Sequence, residues 1–108
     1  MTKIVFYKRQ NNIVGFESKG HAGYADAGED IVCASISILG YTCINTIVFK
    51  YLAKADYQVK DGFISLRLKE GNEEIMEKIQ VVFETILTGF ESIKEEYPKY
   101  ITLKCEEV

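Results

Sequence analysis

This chain has one histidine, one proline, no tryptophan and only two arginines, Arg9 and Arg67. Each scarcity excludes something. A structural zinc site draws on several histidines or on C-x-x-C pairs, and neither is present; no metal and no cofactor is expected. Binding nucleic acid through its phosphates calls for a basic patch. Here the lysines are scattered, no basic run exists and the formal net charge is −3, so direct contact with nucleic acid is not expected. The three cysteines, Cys33, Cys43 and Cys105, are odd in number and lack a spaced framework. Cys33 and Cys43 fall on one expected helix about 15 Å apart along its axis, too far to bridge. The run after Met1 is strand-like and does not read as a secretory signal. Free thiols in a reducing, cytoplasmic setting follow.

Charge is missing from one long stretch, Ile31 to Phe49. A run of that length raises the question of a membrane span. Ser35, Ser37, Gly40, Thr42, Asn45 and Thr46 interrupt it, so the expectation is a helix buried on most sides and no membrane association. One small sheet cannot cover such a helix and also the extra apolar residues Met76, Phe83 and Leu87 of a second one. A homodimer with helical surfaces at its interface is expected. Several catalytic motifs are also absent. There is no G-x-S-x-G elbow and no P-loop lysine pattern. Six positions after Cys33, where a cysteine phosphatase loop needs arginine, stands Leu39.

What is present describes a single domain over residues 1–108. At 47% hydrophobic and 27% charged residues, it is large enough to bury one core. Residues 3–9 and 12–19 are β-branched and aromatic around the polar turn Gln10–Asn12, a hairpin signal. A second hairpin joins 56–60 to 63–69 through Asp61–Gly62, the strongest turn signal in the chain. Asn72 can cap a helix whose first turn carries Glu73 and Glu74. Its apolar stripe runs Ile75, Ile79, Val82, Ile86, Phe90, Ile93 and Tyr97, and Pro98 ends it. Ile101, Leu103 and Cys105 alternate in a last strand. The order is β-β-α-β-β-α-β. It predicts a two-layer α+β domain, a mostly antiparallel sheet with two helices on one face.

The chemistry concentrates in residues 20–37, GHAGYADAGEDIVCASIS. Gly20, Gly23 and Gly28 mark an unusual loop holding His21. Asp30 reads as the N-cap of the first helix, which makes Cys33 its N3 residue. A thiol there feels the positive end of the helix dipole, which favours the nucleophilic thiolate. His21, if the loop folds back over the helix start, is the only imidazole available as general base and acid. The N–H groups of Cys33 and Ala34 are candidate oxyanion donors. Asp30 can orient His21 as the third member of a triad, although a capping carboxylate also opposes thiolate formation. Ser37 lies one helical turn beyond Cys33 on the same face. Each feature has a plainer reading. A free cysteine is often a small packing residue, His21 can be a solvated loop residue, Asp30 a cap alone and Ser37 a small helix residue. Cys43 and Cys105 read as packing residues.

The same string resembles the signature of the ribosomal-processing cysteine proteases, the Prp or YsxB-like family. The likeness rests on GHA at 20–22, Gly28, DIVCA at 30–34, Ser37 and the twelve-residue step from His21 to Cys33. It extends to chain length, element order and the EEYP end of the second helix. The resemblance implies a small homodimeric endopeptidase. It would remove the N-terminal extension of large-subunit ribosomal protein number twenty-seven, cutting after an aromatic residue and before alanine. By position, the nucleophile falls on Cys33, the catalytic histidine on His21, and supporting acidic and hydroxyl residues on Asp30 and Ser37. The alternative is a non-catalytic ribosome-assembly module whose loop binds a peptide or an anion; a different thiol hydrolase, such as a thioesterase, is a third option.

Overall fold

The structure, a computed structural model, describes residues 1–108. Strands β1 (Thr2–Arg9) and β2 (Asn12–Lys19) form the first hairpin, and α1 (Ile31–Ile44) follows the glycine-rich loop. The second hairpin is β3 (Ala55–Lys60) with β4 (Phe63–Leu68); α2 (Met76–Glu96) and β5 (Ile101–Glu107) complete the chain. The expected order β-β-α-β-β-α-β is the one observed. The strands line up as β3-β4-β2-β1-β5. All neighbours are antiparallel except β1 and β5. Each helix is a crossover between strands that are not neighbours, so both lie across one face of the sheet.

Alternation decides which face is covered. Thr2, Ile4 and Phe6 of β1 and Ile64 and Leu66 of β4 point inward and are buried. The opposite face is polar, with Arg67 stacked 3.9 Å from the Tyr7 ring centroid. In β2, Ile13 and Phe16 are both buried, although three positions apart in a strand face opposite ways. A bulge resolves this. Tyr7 pairs with Gly15 and Lys8 with Ile13, which leaves Val14 as the extra residue and returns Ile13 to the inner face.

Phe6, Phe16 and Phe90 meet at the centre, with ring centroids 5.7, 5.9 and 6.2 Å apart. Close approach of the helices depends on missing side chains. A Cβ at Gly40 of α1 would lie 3.1 Å from Ile64 Cδ1, and one at Gly89 of α2 would lie 2.9 Å from Leu39 Cδ1.

Several local expectations are revised. The uncharged helix does not stay α-helical to Phe49; Asn45–Lys50 is a π-helical continuation. Thr46, Ile47 and Val48 are consecutive β-branched residues, the kind that fit an α-turn least well. Asn72 does not cap α2 with its side chain. It is buried, accepts from Lys54 N at 2.8 Å and donates to the carbonyls of Lys54 and Lys69 at 2.9 and 3.0 Å. It thereby ties residue 54 to the end of β4, and the helix opens instead on a 3-10 turn, Glu73–Ile75. Phe83 is not beside the α2 stripe but within it, fully buried with Ile79 and Phe90. Cys105 is exposed rather than packed, because the groove between α2 and the edge strand β5 is open where it faces Leu87, Glu91 and Lys94. Cys43 is fully buried as expected.

Exposed apolar side chains gather on the first helix and its neighbour, and α2 exposes Val81. Ile38, Tyr41 and Phe49 lie on the outer side of the first helix, and Phe49 meets Tyr57 of β3 edge-on at 5.6 Å. The aromatic centre is the element the fold tolerates losing least. Phe90→Ala should cost about 3–5 kcal/mol of stability by cavity formation, read as a lower urea midpoint at unchanged slope.

Candidate active site

The site is built where the loop 20–29 meets the start of α1. Asp30 is the N-cap, in extended conformation at φ −85° and ψ 98°. One carboxylate oxygen accepts from Cys33 N at 2.9 Å. The other accepts from Tyr24 N at 3.0 Å and Ala25 N at 3.3 Å. The same carboxylate therefore caps the helix and folds the loop back over it. Burial raises the Asp30 pKa, but the N–H groups of Cys33, Ala25 and Tyr24 outweigh it, with a smaller contribution from the Cys33 thiol; the result lies below the ordinary 3.8.

The turn at 20–23 brings the loop past the helix start. Gly20, Gly23 and Gly28 all take positive φ, at 98°, 76° and 86°, a conformation glycine adopts without strain. Ala22, between His21 and Gly23, is buried, and its N–H donates to Cys33 Sγ at 3.2 Å. Farther along, the Tyr24 ring packs edge-on against Tyr97 at 5.5 Å and Tyr100 at 5.2 Å. This anchors the loop to the corner between α2 and β5.

All eight residues singled out from the sequence line one open cavity of about 670 Å³: Gly20, His21, Gly23, Gly28, Asp30, Cys33, Ala34 and Ser37. Cys33, which lines it, is half-buried. No hydrogen bond joins it to His21, which instead turns toward the β3–β4 turn. His21 Nε2 lies 3.7 Å from Asp61 Oδ2. The ring rests against Gly62, where a Cβ would come within 2.9 Å of Nε2. Gly62 also accepts from Gly20 N at 2.8 Å.

Two expected roles are not met by this geometry. Asp30 makes no contact with His21, because its oxygens are committed to backbone N–H groups. The candidate oxyanion donors are also engaged: Cys33 N–H on the Asp30 carboxylate, and Ala34 N–H on the Asp30 carbonyl at 3.0 Å. In the sequence Asp61–Gly62 reads only as a turn. Nothing local signals that it closes the cavity, since its approach to His21 depends on β4 pairing with β2. Ser35 is a helix residue only, donating to Ile31 O at 2.7 Å. Burial pushes the Cys43 thiol up to about 12, which leaves it unreactive.

A family model described as cysteine protease Prp matches residues 1–102. The chain belongs to this family. It is 30% identical over 86 residues to the ribosomal processing cysteine protease Prp of Staphylococcus aureus (strain Mu50 / ATCC 700699), covering 78% of each chain. Among solved structures, SMU.848 from Streptococcus mutans superposes with a TM-score of 0.85 at 29% identity, covering 100% of this chain and 96% of that one. The S. aureus Prp crystallised with a covalently linked product peptide gives 0.85 at 24% identity, over 98% of this chain and 100% of that one, a likeness of fold. The glycine-rich loop and the capped cysteine thus belong to a cysteine protease of the ribosomal-processing family.

The shared Asp30 carboxylate makes a separable prediction. Its pKa is depressed in the fold, so its contribution to stability is complete above the ordinary 3.8 and is lost as pH falls through the folded-state value. Asn caps helices about as well as Asp, but its NH₂ cannot accept from Tyr24 and Ala25. In Asp30→Asn, amide exchange should speed up at Tyr24 and Ala25 while Cys33 stays protected. The acid-side loss of stability should also shrink, checked by urea unfolding from pH 6 to pH 2.

Proposed function

We propose that the chain is a cytoplasmic endopeptidase in which Cys33 is the nucleophile and His21 the general base and acid. Its substrate would be the N-terminal extension of large-subunit ribosomal protein twenty-seven, cut after an aromatic residue and before alanine. The single observation that carries this reading is the shared cavity, with a half-buried thiol at a helix start and the only imidazole in the chain on its rim. The cavity is open, with a volume of about 670 Å³, and the S. aureus relative was crystallised with a covalently linked product peptide.

At rest Cys33 Sγ accepts from the Ala22 N–H, and His21 lines the same cavity. Attack by the thiol on a carbonyl needs a base for its proton. In this mechanism His21 takes the thiol proton as Sγ attacks the scissile carbonyl. The tetrahedral intermediate collapses with loss of the amine, which His21 protonates. Water, deprotonated by the same imidazole, releases the acyl group from sulfur. With the Cys33 and Ala34 N–H groups engaged at rest, the Cys33 donor becomes free for an oxyanion only if Asp30 yields it. Ser37, facing the cavity one turn on, is a supporting hydroxyl.

The exposed row Ile38, Tyr41 and Phe49, with Tyr57 beside it, supports a homodimer formed through the first helix. Light scattering at micromolar concentration should give twice the 12.3 kDa chain mass.

The chemistry is tested with an internally quenched peptide carrying Phe–Ala at its centre. Wild type should cleave it at that bond. Cys33→Ala should abolish turnover, and His21→Ala should lower it by about 10²–10⁴-fold, while both keep the wild-type urea midpoint within a small margin. Cys43→Ala and Cys105→Ala should cut at near-normal rates. Turnover retained in Cys33→Ala would overturn the assignment. Peptide binding without cleavage by wild type would favour a binding module.

A further inference from the structure

The Asp30 carboxylate is spent on backbone, so something else must hold the imidazole. We propose that Asp61, at the tip of the β3–β4 hairpin, is the positioning residue of His21, with Gly62 as the flat surface on which the ring rests. The proposal deepens the reading of Cys33 and His21 as the reacting pair and rests on it.

Three observations converge. His21 Nε2 faces Asp61 Oδ2 at 3.7 Å. Gly62 leaves the ring its space, since a Cβ there would lie 2.9, 3.3 and 3.4 Å from Nε2, Cε1 and Cδ2. The hairpin tip is tied to the histidine loop by Gly20 N–H donating to Gly62 O at 2.8 Å. The turn and the histidine loop are therefore joined through backbone, with the ring against the join. Asp61 is 96% exposed and His21 64% exposed in their side chains, so the contact adds little to stability. Its value is geometric. Neutral imidazole carries one N–H and one lone pair. A carboxylate at Nε2 selects the Nε2–H form and leaves Nδ1 as the basic nitrogen for the thiol. The present separation is longer than a hydrogen bond. Catalytic contacts of this kind tighten when substrate arrives, and a peptide filling the cavity would press the ring toward the turn.

The other titratable groups lining the cavity do not compete for Nε2. Asp30 is committed to three N–H groups. Glu29, Lys60 and Tyr41 line the same cavity with no ion pair to the ring, and Cys33 takes its hydrogen bond from Ala22.

The test uses the full-length protein and the same quenched peptide. Asp61→Ala removes the acceptor at an exposed position. Asp61→Asn keeps an oxygen there and suits a turn. Because His21 is the only histidine, ¹⁵N-histidine labelling gives a single ring, and its two nitrogen shifts report the tautomer. Asp61→Ala should lower kcat roughly tenfold, at the mild end for partners that orient a catalytic ring, with KM within about twofold. Its ring should lose the Nε2–H preference, and Asp61→Asn should recover most of both. Wild-type kcat and wild-type ring shifts in Asp61→Ala, in an enzyme that Cys33→Ala inactivates, would overturn the positioning role alone. A loss of kcat with unchanged ring shifts, not rescued by Asp61→Asn, would overturn it as well. A wild type that does not cut the peptide would overturn the functional reading and this role with it.

Discussion

Everything at the site depends on how one carboxylate distributes its lone pairs. Asp30 offers two oxygens, and three backbone N–H groups occupy them: Cys33 at the helix start, Tyr24 and Ala25 in the loop. Remove the first and the helix loses its cap; remove the others and the loop loses its reason to lie over the helix. The loop's position then brings Ala22 N–H to Cys33 Sγ and sets His21 on the cavity rim. A buried carboxylate without donors would be costly. With three, its ionised form is favoured despite burial, which is why its pKa lies below the ordinary value. The same carboxylate holds the backbone of Cys33 itself.

The rest of the fold supplies a rigid platform for this junction. The Phe6–Phe16–Phe90 centre locks α2 to the first hairpin, and Gly40 lets α1 lie close on Ile64 of β4. Because β4 is the strand that carries the Asp61–Gly62 turn, α1 and that turn are held in a fixed relation. The helix that carries Cys33 and the turn against which His21 rests thus share one packing contact. Tyr24, wedged against Tyr97 and Tyr100, ties the loop to the far corner. Loop motion on peptide binding therefore has to break or slide an aromatic cluster.

Much of this was legible in the residues. Period-two runs marked the hairpins, period-3.6 spacing marked α2, and Asp30 three positions before Cys33 marked a capped helix. Where pattern and structure part, the physical reason is shared. Local grammar, in which an Asx residue before a helix caps it, gives Asn72 and Asp30 the same role. Asp30 does so and also reaches the loop; Asn72 instead pairs with residue 54, a partner 18 positions away. Cys105 looked like an inward strand residue, and alternation does point it toward α2, but alternation cannot say whether a helix covers the end of an edge strand. The β2 bulge, too, is invisible until Ile13 and Phe16 are both seen to be buried.

The same limit applies to Asp61, which local sequence marks only as a turn residue. Its approach to His21 spans forty positions of sequence and requires β2 and β4 to pair with Lys19 opposite Phe63. That register places the residue after Lys19, Gly20, beside the residue before Phe63, Gly62, where their hydrogen bond closes. Once the two ends of the strands are joined, the next residues outward are His21 and Asp61, and they face each other across the join. The glycine at the end of β4 leaves room for this, because Gly62 has no side chain to fill the space the imidazole takes. The contact is thus a consequence of strand register, and a one-residue slip between β2 and β4 would remove it while leaving both strands formed.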